Sequence, residues 1–249
     1  MHKVFFEVHS EMPRQGPGDN ESTRKAYLML QHLPEMPHIL DVGCGPGMQT
    51  LELARLSHGK IIALDFHQPF LDALEQQAKL EGLSEIITTV KGDMSQMEFQ
   101  KESFDVIWAE GSIYIIGFEK GLLEWKQFLK KNGYLVASEI VWLKSHPPEE
   151  VRAFFSKECP LMATIEENLT IVKNTGYRLV GYFVLPEESW WKDYYTPIER
   201  KIPSLKLKYR DDEEALGTLA CEETEIELFR KYSAYYGYVF FICQLNQEF

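Results

Sequence analysis

The sequence predicts an α/β protein with a doubly wound, mostly parallel sheet, and three features carry that prediction. Short apolar runs that end in an acidic residue recur along the first half, as in Ile39-Leu40-Asp41 and Lys60-Ile61-Ile62-Ala63-Leu64-Asp65. Between them lie stretches with apolar residues at helical spacing, such as Phe70, Leu71, Leu74, Ala78 and Leu80. Runs without polar alternation are what strands buried on both faces require, and helical crossovers between them make neighbouring strands parallel. The third feature is glycine at every second position, Gly43, Gly45 and Gly47, where the first run turns into the first helical stretch.

That turn organises the chain. Strand, tight glycine turn and helix start together present free backbone N–H groups to a ligand, and glycine lets the backbone approach it closely. A dinucleotide fingerprint G-x-G-x-x-G would need its third glycine at position 48, which is Met48. Hydride transfer with a nicotinamide is therefore disfavoured.

Composition narrows the class further. At 249 residues, 45% hydrophobic and 13% aromatic, the chain can bury a substantial core, and no apolar run reaches the length of a membrane span. Acidic residues outnumber basic ones, 38 to 26, for a formal charge of −12, which disfavours a nucleic-acid substrate. Cys44, Cys159, Cys221 and Cys243 lack C-x-x-C spacing, and no His/Asp/Glu cluster has ligand spacing, so neither a disulfide framework nor a metal site is expected. No secretory signal is visible at the N-terminus, and the cytoplasm is the default compartment.

In chain order, residues 1 to about 20 read as irregular, since Met12-Pro13-Arg14-Gln15-Gly16-Pro17-Gly18 resists both helix and strand. Asp19 or Asn20 offers an N-cap for a helix carrying Ala26 to Leu33. Strand 39–42 and helix 49–56 flank the glycine turn; strand 60–65 and helix 68–81, stopped by Gly82, complete a βαβ unit. Strands follow at 86–91 and 103–110, a helix at 121–131 ended by Asn132-Gly133, and a strand at 134–140. Helices at 149–157 and 164–174, a strand at 177–185 and a last strand at 238–245 close the pattern. About fifty residues, 186–237, separate the last two strands; they hold Trp190-Trp191-Lys192-Asp193-Tyr194-Tyr195 and a long acidic helix near 211–236.

Several of these stretches resemble the class I S-adenosylmethionine (SAM) dependent methyltransferases. Asp41-x-Gly43-x-Gly45-x-Gly47 is similar to their first motif, Gly92-Asp93-Met94 matches their third, and Phe104-Asp105-Val106-Ile107 resembles their F-D-x-I/V strand. Phe128 to Leu135 resembles L-L-K-P-G-G-x-L, with Asn132 where proline is usual and Tyr134 where a second glycine is usual. The resemblance covers residues 38–142 closely, in the style of ubiquinone/menaquinone-biosynthesis and sarcosine/dimethylglycine methyltransferases. It implies a Rossmann-like, seven-stranded sheet with the last strand antiparallel between the fifth and sixth. The chain then divides into an N-terminal cap (1–37), a core sheet (38–185 and 238–249) and a helical lid insertion between strands six and seven (186–237), all one domain.

The same resemblance implies SAM as cofactor and S-adenosylhomocysteine as product. Asp41, Gly43, Cys44, Gly45 and Gly47 form the cradle. Asp65 at a strand end has the two short-reach oxygens that accept from both ribose hydroxyls, and Phe66 packs on the adenine. Asp93 accepts from the adenine amine, the Met94 backbone meets a ring nitrogen, and Arg14 with Gln15 reaches the SAM carboxylate or closes the site. Glu110 holds the SAM ammonium, orients an acceptor or accepts a proton; the sequence does not choose. Tyr114, Glu139, Trp142 and His9 are further candidates at the methyl-transfer end. Of the insertion aromatics about half are expected to be packing, because adjacent residues cannot all face one pocket. The resulting expectation is a SAM-dependent methyltransferase for a small-molecule acceptor, with no nucleic acid, no membrane span and a homodimer allowed. A SAM-binding regulatory or scaffold protein without turnover is the alternative.

Overall fold

The structure, a computed structural model, describes residues 3–246; Met1, His2 and residues 247–249, the outer ends of the expected cap and core sheet, lie outside the described residues. Strands β1 (His38–Val42), β2 (Lys60–Asp65), β3 (Ile87–Lys91), β4 (Phe104–Glu110), β5 (Leu129–Trp142), β6 (Ala163–Thr164), β7 (Tyr177–Val184) and β8 (Tyr236–Leu245) form one sheet. Its order is β3-β2-β1-β4-β5-β8-β7, with β6 pairing beside the end of β5. All pairs are parallel except β5·β8 and β7·β8, so β8 lies antiparallel between β5 and β7 as the fold implies. Seven strands make the expected path, and the two-residue β6 is an addition to it.

Alternation along the strands sorts side chains into two cores. Ile39, Val106, Val136 and Phe240 go to one face; Leu40, Ile107, Leu135 and Phe241 go to the other. The chain moves outward from β1 through β2 to β3, then returns to place β4 on the other side of β1. That reversal opens a crevice at the carboxyl ends of β1 and β4, the position where open α/β sheets bind ligands.

Helix α2 (Asn20–Leu28) begins at Asp19, whose carboxylate accepts the Ser22 N–H at 2.6 Å. It stops at Leu28, short of Leu33. Helices α3 (Met48–Ser57) and α4 (Gln68–Leu80) cover β1 and β2 as expected. Helix α5 runs Phe118–Trp125, earlier than expected, because Gly117 at φ +92° starts it and β5 already begins at Leu129. Asn132, at φ +59°, turns within β5 rather than ending a helix, and the β4·β5 register shifts between Phe104 and Val106. Helices α6 (Glu149–Glu158) and α7 (Ile165–Asn174) precede β7.

One departure bears on function. The N-terminal segment is not wholly irregular: Lys3–Val8 is a helix, α1. Its six residues carry no local signal strong enough to predict it. It is held by α9 (Thr196–Lys208) and α10 (Glu213–Tyr232), which with α8 (Glu188–Trp190) and the π-helical turn Trp191–Tyr195 fill the insertion. Glu7 accepts from the Tyr209 hydroxyl at 2.6 Å and pairs with Lys208, while Lys201 donates to the carbonyls of Val8 and Ser10. Ahead of α2, Gly18 N–H meets the Ser189 carbonyl at 3.1 Å and the Ser189 hydroxyl reaches Asp19. Cap and insertion are thus one layer, joined across about two hundred residues of sequence.

Candidate active site

The glycine turn lies at the head of the crevice. Gly47 (φ +89°) precedes α3, and a Cβ there would stand 2.3 Å from Leu74 Cδ1; at Gly43 (φ +71°) it would stand 2.5 Å from Ser112 Cβ. Both the left-handed backbone and the space therefore require glycine. Gly43 and Cys44 N–H donate to the Leu64 carbonyl at 2.8 and 3.0 Å, fixing the turn against β2. The Cys44 thiol is buried, which pushes its pKa well up.

Asp65 ends β2 and is locked onto the turn. Its Oδ2 accepts the Gly45 N–H and its Oδ1 the His67 N–H, both at 2.9 Å. Burial raises its pKa, and the two backbone donors oppose that rise. Each oxygen still has a lone pair for a hydroxyl. Asp41, at 0% exposure, accepts from Thr50 Oγ1 at 2.6 Å and Gln49 Nε2 at 3.3 Å, both from α3 and both on Oδ2. Its Oδ1 has no partner, and burial, with the Glu110 charge nearby, pushes its pKa up to about 7 against the Thr50 bond.

Glu110, the last residue of β4, receives three donors: Arg14 on Oε2, and Thr23 Oγ1 at 2.7 Å with Trp108 Nε1 at 2.9 Å on Oε1. Arg14 is 4% exposed, and its Nε and Nη1 have no partner. Arg14, Gln15, Gly43, Cys44, Glu110 and Gly111 line a cavity of about 50 Å³ between the cap and the glycine turn. The chain thus brings Arg14, Asp41 and Glu110 together at one end of the crevice. Thr23 and Trp108, which complete the set, were not singled out from sequence. Nothing in their local pattern separates them from helix and core residues.

On the other side, Phe66 is 53% exposed just beyond β2. Asp93 is exposed; its Oδ1 accepts from the Ser95 N–H at 2.8 Å and hydroxyl at 2.7 Å, which lower its pKa. The Met94 carbonyl takes the Trp125 Nε1–H at 3.1 Å, and the Met94 methyl lies 3.3 Å from where a Cβ on Gly43 would be.

Beyond β4, the remaining candidates meet residues from the insertion. Tyr114 sits in the turn Ile113–Ile115, and Tyr238 of β8 brings its hydroxyl 3.8 Å from a Cβ position on Gly111. Glu139 is buried, its Oε2 has no partner, and burial pushes its pKa up to about 8. His9 is buried, with Nδ1 2.9 Å from the Phe5 carbonyl, Nε2 3.4 Å from the Tyr194 hydroxyl and 3.9 Å from Glu222 Oε1. Burial pushes it down to about 4 and leaves it neutral at pH 7. Trp142 packs on Phe155 and Tyr236. Trp190 stacks on Phe229 with ring centroids 4.1 Å apart, and Tyr195 packs beside both, so these aromatics are core.

Glu222 and Glu225 of α10 were missed from sequence, although a signal existed. Ala215, Leu219, Ile226 and Phe229 form the buried stripe of α10, and Glu222 occupies a position of that stripe. Burial pushes Glu222 up to about 8 and also raises Glu225, which accepts from the Tyr195 hydroxyl at 2.8 Å.

Known proteins resemble this chain in part of its length and in its fold. The model of the methyltransferase domain family matches residues 40–137, β1 through most of β5. Among curated relatives, sterol 24-C-methyltransferase erg-4 of Neurospora crassa is 30% identical over 170 residues, 64% of this chain and 44% of the relative. The (+)-O-methylkolavelool synthase of Herpetosiphon aurantiacus is 27% identical over 160 residues, 60% of this chain and 54% of the relative. The chain spans about half the length of the curated relatives it matches. Over the whole fold, a SAM-dependent methyltransferase of Geobacter sulfurreducens, solved with S-adenosyl-L-homocysteine, superposes with a TM-score of 0.83 at 20% identity, covering 98% of each chain. The fold of the entire chain, cap and insertion included, is therefore that of a class I methyltransferase. No helix among the described residues is long and apolar enough to cross a membrane.

Proposed function

We propose that this protein transfers the methyl group of SAM to a small-molecule acceptor, and that it does so as one domain in which the cap (1–37) and the insertion (186–237) together form the lid. The observation that carries this reading is the Asp65 carboxylate, tied to the glycine turn through Gly45 and still able to accept two hydroxyls. The unpartnered Nε and Nη1 of Arg14 fit a carboxylate at the opposite end, with Asp41 Oδ1 and Glu110 as the acidic groups for an ammonium. We assign Phe66, Asp93 and the Met94 backbone to the adenine of a SAM whose ribose Asp65 holds. SAM supplies an electrophilic methyl on a sulfonium. The chain's own part is to align an acceptor with that methyl and keep water out, an effect of about 7–11 kcal/mol in favourable cases. Glu110, Tyr114 and Glu139 are the catalytic candidates, as groups that orient an acceptor or receive its proton.

The sterol and terpenoid relatives act on small apolar molecules by name, and the net charge of −12 favours such acceptors over nucleic acid. Four unpaired cysteines suit a reducing, cytoplasmic compartment. Homodimer formation is checked by light scattering. Calorimetric titration with SAM, S-adenosylhomocysteine and NAD tests the central reading: micromolar binding of the two sulfur ligands and none of NAD is expected. Asp65→Ala should weaken both sulfur ligands by about a hundredfold, as loss of a charged acceptor for two hydroxyls implies. Unchanged affinity in that variant removes the ribose assignment, and no binding by folded wild type removes the function.

A further inference from the structure

Alternation along β4 puts Trp108 and Glu110 on one face of the sheet, two positions apart. There the indole N–H of Trp108, a side chain with no exposed surface, donates to Glu110 Oε1 at 2.9 Å. The buried face of α2, made by Ser22, Thr23 and Ala26, brings a second donor to that oxygen, the Thr23 hydroxyl at 2.7 Å. Arg14 pairs with the other oxygen, Oε2. One carboxylate, 8% exposed, thus ties the strand to α2 and to the loop before it. The start of α2 is tied in turn to the insertion, through Asp19 and Gly18 on Ser189.

The Thr23 contact is not one that its helix requires. A threonine hydroxyl in a helix ordinarily donates to the carbonyl four residues back, and that acceptor, the Asp19 carbonyl, stands 3.2 Å away. A hydroxyl has one proton to give. It goes to Glu110 because the carboxylate oxygen is both closer and the stronger acceptor. With that proton on Asp19 instead, α2 would keep its local bonds and Glu110 would keep a counter-charge in Arg14. What Thr23 and Trp108 add is orientation. Two donors on Oε1 and one on Oε2 stop the carboxylate from turning about its terminal torsion, and of its roughly four lone-pair directions one, on Oε2, is left. Glu110 lines the cavity it shares with Arg14, Gly43 and Gly45, so that remaining capacity lies at the glycine turn.

Resting on the methyltransferase reading above, we infer that Thr23 is a positioning residue for the cofactor: with Trp108 it fixes the Glu110 carboxylate so that Oε2 accepts the ammonium of SAM. Thr23 acts through Glu110. Because it belongs to the cap and Trp108 to the sheet, the ammonium subsite is complete only when the cap is seated on the sheet. A carboxylate ordered in advance pays no orientational cost when the ligand binds, whereas one held by Arg14 alone would have to be ordered by the ligand. The arrangement recognises the ammonium and contributes nothing to recognition of the adenosine or of the ligand's carboxylate.

The test uses the whole chain and two ligands, S-adenosylhomocysteine and its desamino analogue, which keeps the carboxylate and lacks the ammonium. In calorimetric titration, wild type should bind S-adenosylhomocysteine at least about tenfold more tightly than the analogue, as a hydrogen bond between charged groups implies. Thr23→Val keeps the shape and removes the hydroxyl. It should weaken S-adenosylhomocysteine by about tenfold and leave the analogue within about twofold of wild type, and Thr23→Ser should restore the preference. The preference is a ratio, so a loss of folded protein, which lowers the binding of both ligands alike, does not move it; Thr23→Ala replaces the valine variant if that one does not fold. Equal weakening of both ligands by Thr23→Val overturns the proposal and leaves Thr23 a structural residue, and so does a serine variant that behaves like the valine one. A wild type that binds both ligands equally overturns it as well. Failure of the folded wild type to bind either ligand is a different result, one that removes the cofactor reading and this role with it.

Discussion

Asp65 at the glycine turn and Glu222 on α10 are both buried carboxylates, yet the protein treats them differently. Asp65 accepts two backbone N–H groups, from Gly45 and His67, within about twenty residues of itself in sequence. Glu222 meets a neutral His9 at 3.9 Å, from a helix more than two hundred residues away, and burial dominates its ionisation. The surroundings of Asp65 are therefore assembled from local turns whose backbone donors are fixed by the strand and the glycine turn. The surroundings of Glu222 are assembled from remote elements, α1 with its following turn and α10, and burial there favours the protonated carboxyl. Substitutions in the two regions should separate along that line.

The largest effect is expected between the two regions. Arg14→Met leaves Glu110 buried without its cation and should cost about 3–5 kcal/mol of stability. The double variant Arg14→Met/Glu110→Gln should recover part of it, and urea denaturation of both decides; equal losses would mean the pair is not coupled.

At the cofactor end, Gly47→Ala places a Cβ at φ +89° against Leu74, for about 2–4 kcal/mol, and should abolish S-adenosylhomocysteine binding at concentrations where wild type saturates. A melting curve and titration like those of wild type would show that the turn relaxes.

For the buried carboxyls of both regions the signature is pH. Asp41, Glu139 and Glu222 have pKa values raised to about 7, 8 and 8, so the folded chain holds protons that the unfolded chain releases from about pH 4 upward. Their stabilising contribution is complete below that point and is lost as pH climbs to about 8, at up to about 1.4 kcal/mol per pH unit for each group. His9 runs oppositely: lowered to about 4, it favours the fold above pH 6.5 and loses that contribution as pH falls through 4. Glu222→Gln should therefore raise stability at pH 8 by about 1–3 kcal/mol and leave pH 5 nearly unchanged. A variant that tracks wild type at both pH values would place Glu222 among solvated groups.

The smallest effect belongs outside both regions. Arg152 and Glu149 pair on the exposed face of α6, and Arg152→Ala should change stability by less than about 0.5 kcal/mol. A larger loss would mean that surface pairs and the buried Arg14 pair cannot be ranked by burial.

Much of the cofactor end was legible because its physics is local. Glycines at positions 43 and 47 mark positive φ, an acid at a strand end marks Asp65, and apolar runs mark β1, β2 and β4. The Asn132-Gly133 turn misled, since the same pair that stops a helix can bend a strand, and pairing with β4 decided between them. The short α1 escaped because six residues nucleate no helix alone; Tyr209, Lys208 and Lys201 hold it from the insertion. Glu222 was readable in principle as a charge inside an apolar stripe, but its facing groups were not.

The sequence by itself determined the sheet, its crossovers, the glycine cradle and the place of Asp65, because hydrophobic period and backbone sterics act over a few residues. Only the tertiary structure decided that Glu110 would be bound by Arg14, Thr23 and Trp108, that cap and insertion would be one layer, and that Glu222 would face His9. Those outcomes depend on burial and on charges meeting across long stretches of chain, and neither quantity exists until the fold has closed.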